Sequence, residues 1–588
     1  MKKLIDLITE EMKGAFEKAG YDPELGKVSV SNRPDLCEYQ CNGAMAGAKL
    51  YHKAPVAIAG EVAGKLAESR VFSMAEAVNP GFLNLKLRED FLSEYLKEMA
   101  ASEKYGLEAP EKPKTVIVDY GGPNVAKPLH VGHLRSAVIG EAVKRLCAYV
   151  GHRAIGDIHM GDWGLQMGLV ITEIRERMPD LPYFDPDFDG EYPEDAPCTV
   201  EDLSEIYPTA SGKSKDDPAY RERAMEATLK LQNGDRGCRA LWERIMKISV
   251  ENMKEIYDSL DVHFELWNGE STVQELIPGM LRYLKEKDYM HLSEGAWVID
   301  VKEESDTKEM PPCIVVKSDG ASLYNTTDLA TIMDRVHKYA PEQMIYLTDK
   351  RQDLYFEQVF RAARKSGLVP SETELVHIGF GTVNGKDGHA FKTREGGVMK
   401  LSDLIADTCE RTHDRILESR EMPEEEALKT ASIVALAALK YGDLSNQATK
   451  DYIFDMEKFT SFEGDTGPYI LYTIVRIKSI LAKIAESGTD LGKAVFSVSR
   501  SEAEKSLMTD LARFNAVIEA AYREIAPHRI CAYIYELAND FNRFYHETKI
   551  VTEEDEEKKS GWIALLLLAK GILETCIGIL GFTAPDKM

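Results

Sequence analysis

The sequence predicts a mixed α/β chain of several domains, and three observations carry that reading. With 588 residues, the chain is longer than one core usually serves, at about 100 to 200 residues per domain. A β-branched run, Thr115-Val-Ile-Val-Asp119, leads through a glycine-rich loop and a helical pattern to a second strand-like run, which is a βαβ unit. From about Pro423 onward strand signals almost vanish and helical periodicity takes over. Hydrophobic residues at 44% and charged residues at 29% exclude disorder, collagen and coiled coil.

Residues 1–108 alternate amphipathic segments with turn signals, including the strand-like run Gly81 to Leu87, and read as a small α+β domain. Lys104 to Lys114, with two prolines and several charges, reads as a linker. The strand Thr115 to Asp119 ends at Gly121-Gly122-Pro123. Leu134, Val138, Ala142, Leu146 and Val150 then recur at helical spacing, and Gly151 supplies the stop. A second strand follows near Arg153 to Met160. An insertion of about 169–261 is mostly helical, and its acidic stretch Asp185 to Asp217 reads as an exposed loop or insertion. Further strands are predicted at Ala296 to Val301, Cys313 to Lys317, Met344 to Thr348 and Val376 to Phe380. Helices at Ala330 to Tyr339 and Leu354 to Ser366 interleave with them, so the sheet is assembled from both sides of the insertion and the domain runs over 109–422. Residues 423–461 read as a connecting helical region and 462–588 as a helical bundle.

The net charge of −26, from 98 acidic and 72 basic residues, excludes a general affinity for nucleic acid, so any such binding must be local. The nine cysteines are scattered, with neither disulfide nor zinc spacing, and no structural zinc is expected. The apolar run Trp562 to Ala569 stops at Lys570, short of the roughly 20 residues a membrane span needs. Acids interrupt the first apolar stretch after Met1, so neither a signal peptide nor a membrane span is predicted, and a cytoplasmic location is expected.

The chemistry concentrates in the loop after the first strand, Pro123-Asn-Val-Ala-Lys-Pro-Leu-His-Val-Gly-His133. Two imidazoles three apart around a glycine, at a helix N-terminus, bring ring donors, backbone N–H groups and the helix dipole to bear on phosphate oxygens. Standing alone, the pair reads equally as two histidines capping a helix. Other strings accompany it: Gly156-Asp-Ile-His-Met-Gly-Asp-Trp-Gly164 with Gln166, Trp267-Asn-Gly-Glu-Ser271, Tyr324-Asn-Thr-Thr-Asp328, Arg351-Gln-Asp-Leu-Tyr355, Gly464-Asp-Thr-Gly-Pro-Tyr469 and the ending Leu580 to Met588. In this order they resemble the signature segments of the class I aminoacyl-tRNA synthetases, arginyl branch, over most of the chain.

That resemblance implies a Rossmann-like catalytic domain with a helical insertion, an N-terminal domain that contacts tRNA, and a C-terminal all-α anticodon-binding bundle. It implies ATP with Mg²⁺, L-arginine and its tRNA(Arg) as substrates, an arginyl-adenylate intermediate, and no membrane partner. His130, His133 and Lys127 would be catalytic; Gly132, Lys392 and Arg394 would bind ATP; Asn124, Glu270, Tyr324, Asp328 and Gln352 would bind arginine. Tyr324 and Asp328 are four apart and share a face if helical, which suits a planar guanidinium that wants carboxylates. On its own, Asp328 also reads as a helix N-cap before Leu329-Ala330. One departure stands out: Thr393, in Ala390-Phe-Lys-Thr-Arg394, occupies the place where class I enzymes usually carry the second lysine of a Lys-Met-Ser-Lys-Ser loop. Lys127, just before the first signature histidine, would then supply that charge. In the C-terminal region an apolar stripe of Ile470, Ile474, Ile477, Leu481 and Ile484 has Arg476, Lys478 and Lys483 off it, predicting a buried helix with a basic face. Tyr533, Tyr535, Phe544 and Tyr545, interleaved with Arg529 and Arg543, read mostly as core and in part as RNA-stacking residues.

Overall fold

The computed structural model describes residues 1–318, 323–389, 391, 399–419 and 421–588. The chain divides into two compact units, Glu111–Thr460 and a second formed by Met1–Pro110 with Ser461–Met588.

The first unit is built on four strands: β1 (Thr115–Asp119), β2 (Arg153–Asp157), β3 (Gln343–Asp349) and β4 (Glu374–Phe380). Their order is β4-β3-β1-β2, and each neighbouring pair runs parallel. Val116, Ile117 and Val118 are fully buried, as expected where a parallel strand is covered on both faces and therefore reads as one apolar run. The chain leaves β1 for β2 on one side and returns to β3 on the other. A doubly wound sheet binds its ligands at such a reversal, outside the carboxyl ends of the strands. Between β1 and β2 runs α1 (Val131–Val150), closed by Gly151 in the left-handed region at φ 116°. Gly140 lets this helix close on the sheet, since a Cβ there would stand 2.1 Å from the ring of Tyr120.

After β2 come the helices α2 (Leu165–Arg177), α3 (Val200–Asp216), α4 (Pro218–Gln232) and α5 (Arg236–Ser259). The acidic stretch is thus only half loop. Thr199 Oγ1 accepts the Asp202 N–H at 3.1 Å while the Asp202 carboxylate accepts the Thr199 N–H at 2.7 Å, a capping box that starts α3 despite the acidic composition. Two of the expected sheet strands also go elsewhere. Ala296–Ile299 and Cys313–Val316 join His291–Ser293 in a separate antiparallel sheet. The two-residue turn Glu294-Gly295, with φ of 49° and 85°, can join only antiparallel neighbours, because a parallel crossover needs a dozen residues or more. Also in this unit are α6 (Tyr324–Tyr339), leading into β3, α7 (Asp353–Lys365), leading from β3 to β4, and, after β4, the helices Leu401–Ser419 and Glu424–Leu444.

The second unit holds an antiparallel sheet in the order Val28–Val30, Tyr39–Cys41, Phe82–Leu87, Phe72–Val78. Lys505, on the helix Glu502–Ala512, ties the C-terminal helices to that sheet: it pairs with Glu38 at 2.8 Å and donates to the Leu87 carbonyl at 2.8 Å. The predicted apolar stripe is buried along Gly467–Glu486. Its basic face is partly neutralised from within, since Lys478 pairs with Glu574 and Asp586 at 3.4 and 3.5 Å. Tyr533 and Phe544 are core, whereas Tyr535 and Tyr545 are half-buried. The apolar run at Trp562 does not stop at Lys570 but continues through a 25-residue helix, Glu556–Leu580. That helix is long and apolar enough to cross a membrane, and 67% of its most apolar window is buried inside the unit.

Candidate active site

The loop after β1 reaches the N-terminus of α1 through His130, which serves as its N-cap residue. The Gly132 N–H donates to His130 Nδ1 at 3.0 Å, and the His130 N–H donates to His133 Nδ1 at 3.0 Å. A ring nitrogen that accepts cannot carry the proton, so in the neutral imidazole the hydrogen sits on Nε2. Both rings are neutral near pH 7. Burial pushes the His133 pKa down to about 3, helped by the neighbouring His130 and Lys127, and burial with the Lys127 charge lowers His130. The two readings of this motif are therefore compatible: the Nδ1 atoms cap the helix, and the Nε2–H groups remain as donors. Gly132 matters for the ring as much as for a ligand, because a Cβ there would lie 2.8 Å from His130 Cε1. The loop is pinned from the far side by Val131 N–H to the Met399 carbonyl at 3.1 Å and Leu401 N–H to the Leu129 carbonyl at 2.9 Å. Lys392 and Arg394, with Thr393, lie outside the described residues.

Among the residues expected to bind arginine, the carboxyls of Glu270 and Asp328 are prominent. Asp328 lies in the second turn of α6, one turn past Tyr324, so the shared face is real and the N-cap alternative falls: the cap position is Leu323. The Tyr355 hydroxyl donates to Asp328. Burial raises the Asp328 carboxyl. Glu270 is 8% exposed, and its pKa is pushed up to about 8, by burial first and then by the charges of Asp162 and Asp328. Tyr324 is 60% exposed, yet its phenol is raised by burial, then by Glu270, Tyr207 and Asp328, which places it beside the same group. Asn124 sits at the edge, bridged to Gly161 through Val125 N–H to the Gly161 carbonyl at 2.9 Å. A Cβ on Gly161 would stand 2.3 Å from Asn124 Oδ1. Gln352 closes the short turn Lys350–Gln352 and is exposed; among the described residues no hydrogen bond from its side chain reaches Asp328 or Glu270.

Three family models match in chain order: the arginyl tRNA synthetase N-terminal domain over residues 2–87, the catalytic domain of class I tRNA synthetases (R) over 96–456, and the DALR anticodon-binding domain over 470–588. An arginine–tRNA ligase of Agathobacter rectalis is 60% identical, and one of Alkaliphilus oremlandii 52%, each with 100% of both chains covered. The chain belongs to the arginyl-tRNA synthetase family. Among solved structures, the arginyl-tRNA synthetase of Plasmodium falciparum covers 100% of both chains at a TM-score of 0.83 and 25% identity. That of Thermus thermophilus shows the same fold at a TM-score of 0.79 and 23% identity, again over 100% of both chains. The synthetase is an ATP-dependent ligase that charges tRNA with arginine, through an arginyl-adenylate, for protein synthesis.

Sequence reasoning missed the groups that hold the synthetase's pocket in shape. Asp162 accepts the Ser271 N–H at 2.9 Å and the Ser271 hydroxyl at 2.5 Å, and so fixes the segment that presents Glu270. A Cβ on Gly269 would meet the Asp162 carboxylate at 2.7 Å. Below the pocket, Arg335 is buried and joins Asp119 at the end of β1 (2.6 Å) to Asp157 at the end of β2 (2.7 Å). Arg335 lies seven residues after Asp328 on α6, so this ion triad anchors the helix face that carries Asp328 onto the sheet. The sequence signals were an acid ending each apolar strand and the place of Asp157 and Asp162 inside the string Gly156 to Gly164.

Proposed function

We propose that the catalytic unit forms arginyl-adenylate by positioning and charge complementarity, with no covalent enzyme intermediate. An oxygen of the arginine carboxylate attacks the α-phosphorus of ATP, the α–β anhydride bond breaks, and pyrophosphate leaves with its electron pair. A hydroxyl of the terminal ribose of tRNA(Arg) then attacks the acyl carbon, the ester forms and AMP departs. His130 and His133 donate their Nε2–H groups to phosphate oxygens, Gly132 keeps the helix N-terminus open to them, and Lys127 meets the charge gathering on pyrophosphate. Mg²⁺ arrives with ATP as part of the substrate. Lys392 and Arg394 are assigned to ATP by the family resemblance alone.

Asp328 takes the guanidinium, with Glu270 and Tyr324 beside it, while Asn124 and Gln352 serve the amino-acid head and flank. The observation that carries this reading is the cluster of Asp162, Glu270 and Asp328, whose carboxyls are raised by burial. Such a group is costly unless a cation enters. The N-terminal domain, 1–108, and the helical bundle, 462–588, are read as the tRNA-binding parts, and the enzyme as cytoplasmic. Amino-acid-dependent ATP–pyrophosphate exchange, run over all amino acids with and without tRNA, tests the reading. Exchange confined to arginine supports it, and exchange driven by a neutral amino acid contradicts it.

A further inference from the structure

Lys127 is set in a chain of net charge −26 and beside an acidic pocket, yet among the described residues no carboxylate lies within ion-pair distance of its ammonium. The lysine instead rests on the face of Tyr207, with Nζ 4.3 Å from the ring centroid. Its charge still reaches both signature imidazoles, lowering His130 and His133, so it is held at the nucleotide side of the site. Tyr207 comes from α3 of the insertion, the helix started by the Thr199 and Asp202 capping box. Its ring packs against the core of Leu169, Ala210, Tyr220 and Ala224. The same phenol is close enough to Tyr324 to affect its ionisation, so Tyr207 stands between the lysine on the phosphate side and the tyrosine on the guanidinium side.

We propose that Tyr207 is a positioning residue, which keeps the Lys127 side chain unpaired over an aromatic face until the phosphates of ATP take it. This rests on the assignment of Lys127 to pyrophosphate made above. The physical logic is a choice between two resting places. A carboxylate would hold the ammonium strongly and would have to be broken away in each catalytic cycle, with a buried anion left behind. An aromatic face holds it weakly, through the ring quadrupole, and gives it up to a phosphate at little cost. The helical insertion thereby acquires a catalytic purpose: α3 aims the lysine that stands in for the one Thr393 replaces.

The test is single-turnover adenylate formation at saturating ATP in the full-length enzyme. Tyr207→Leu keeps an apolar side chain in the packing and removes the ring; it is expected to slow adenylation about tenfold, the scale of a desolvated cation–π contact, while arginine affinity stays unchanged. Tyr207→Phe keeps the ring face and should recover most of the rate. Tyr207→Glu should capture the lysine in an ion pair and slow the step further than Leu does. In a Lys127→Ala background, Tyr207→Leu should add no further loss. A full rate in Tyr207→Leu beside an impaired Lys127→Ala enzyme overturns the inference alone, as does an equal loss from Tyr207→Leu in both backgrounds. An unimpaired Lys127→Ala enzyme overturns the assignment of Lys127 and the inference with it.

Discussion

The two halves of the active site are finished to different degrees before substrate arrives. On the side proposed for the nucleotide, the signature histidines are neutral, and their Nδ1 atoms are engaged by backbone N–H groups, which leaves the Nε2–H groups as donors. On the side proposed for arginine, Glu270 and Asp328 are carboxyls raised by burial, and Arg335, the neighbouring arginine, is already committed to Asp119 and Asp157. A phosphate needs donors waiting in place, because reorganising them during the reaction would cost rate. A guanidinium needs carboxylates, which cannot wait fully ionised in a buried pocket without a counter-charge. On the proposed assignment, the first half is built for the transition state, and the second is completed by the ligand.

The contrast is broken most severely at Asp328. Asp328→Ala leaves the guanidinium desolvated without its partner, a loss of about 3 to 5 kcal/mol where such a pair is buried. Arginine affinity should fall by orders of magnitude while ATP affinity barely moves; equilibrium titration with each ligand measures both, and an equal loss of the two would place Asp328 outside the arginine pocket. His133→Ala, on the other half, should lower the rate of adenylate formation about 100-fold, as removal of one preorganised donor does. Because the imidazole is already neutral over the working range, the shape of the pH–rate profile should not change, which rapid-quench measurement from pH 6.5 to 9 would check.

Glu270→Gln sharpens the comparison through stability. In the unfolded chain Glu270 ionises near the ordinary value of about 4.3, whereas in the folded, ligand-free protein it does so at about 8. The raised folded value means that the fold binds this proton more tightly than the unfolded chain does. Its contribution is fully present below about pH 4 and is lost as pH rises through 8. At pH 9 the native enzyme carries that penalty and the Gln variant does not, so the variant should melt higher, by up to a few kcal/mol in stability, with little difference at pH 4. Thermal denaturation of both proteins at the two pH values decides it; a Gln variant that melts lower at pH 9 would show that the carboxylate is stabilising. The smallest effect expected is at Gly132. In Gly132→Ala the new methyl meets the His130 ring, which must swing away and give up its acceptor role, so adenylation should slow about tenfold, on the order of one lost hydrogen bond, with the thermal midpoint nearly unchanged.

How much of this was legible in the sequence follows from how the chain brings the groups together. Lys127, His130 and His133 stand in one short segment between a strand and a helix, so local pattern was enough to find them. Glu270 and Asp328 lie 58 residues apart and were named through family resemblance; nothing local says that they share a pocket. Asp162 and Tyr355 stand inside strings that carry the family resemblance, but their partners, like those of Arg335, lie more than 25 residues away in each case, so no local pattern says what they hold. The helix α3 was readable in the capping box at Thr199 and lost to the acidic composition around it. The strands at Ala296 and Cys313 were found, but their sheet was misassigned, since strand character does not say which sheet a strand will join.

The measurement that tests the account most directly is calorimetric titration of arginine into the enzyme at pH 7 and pH 9, in buffers of different ionisation enthalpy, for the native protein and Glu270→Gln. If Asp328 and Glu270 await a cation, arginine binding at pH 7 must drive a proton off the protein, and its affinity must rise with pH up to about 8, where Glu270 titrates. The Gln variant should release little or none. Arginine binding at pH 7 with no proton released by the native enzyme, or with the same release from both proteins, would contradict the claim that the ligand completes an unfinished acidic pocket.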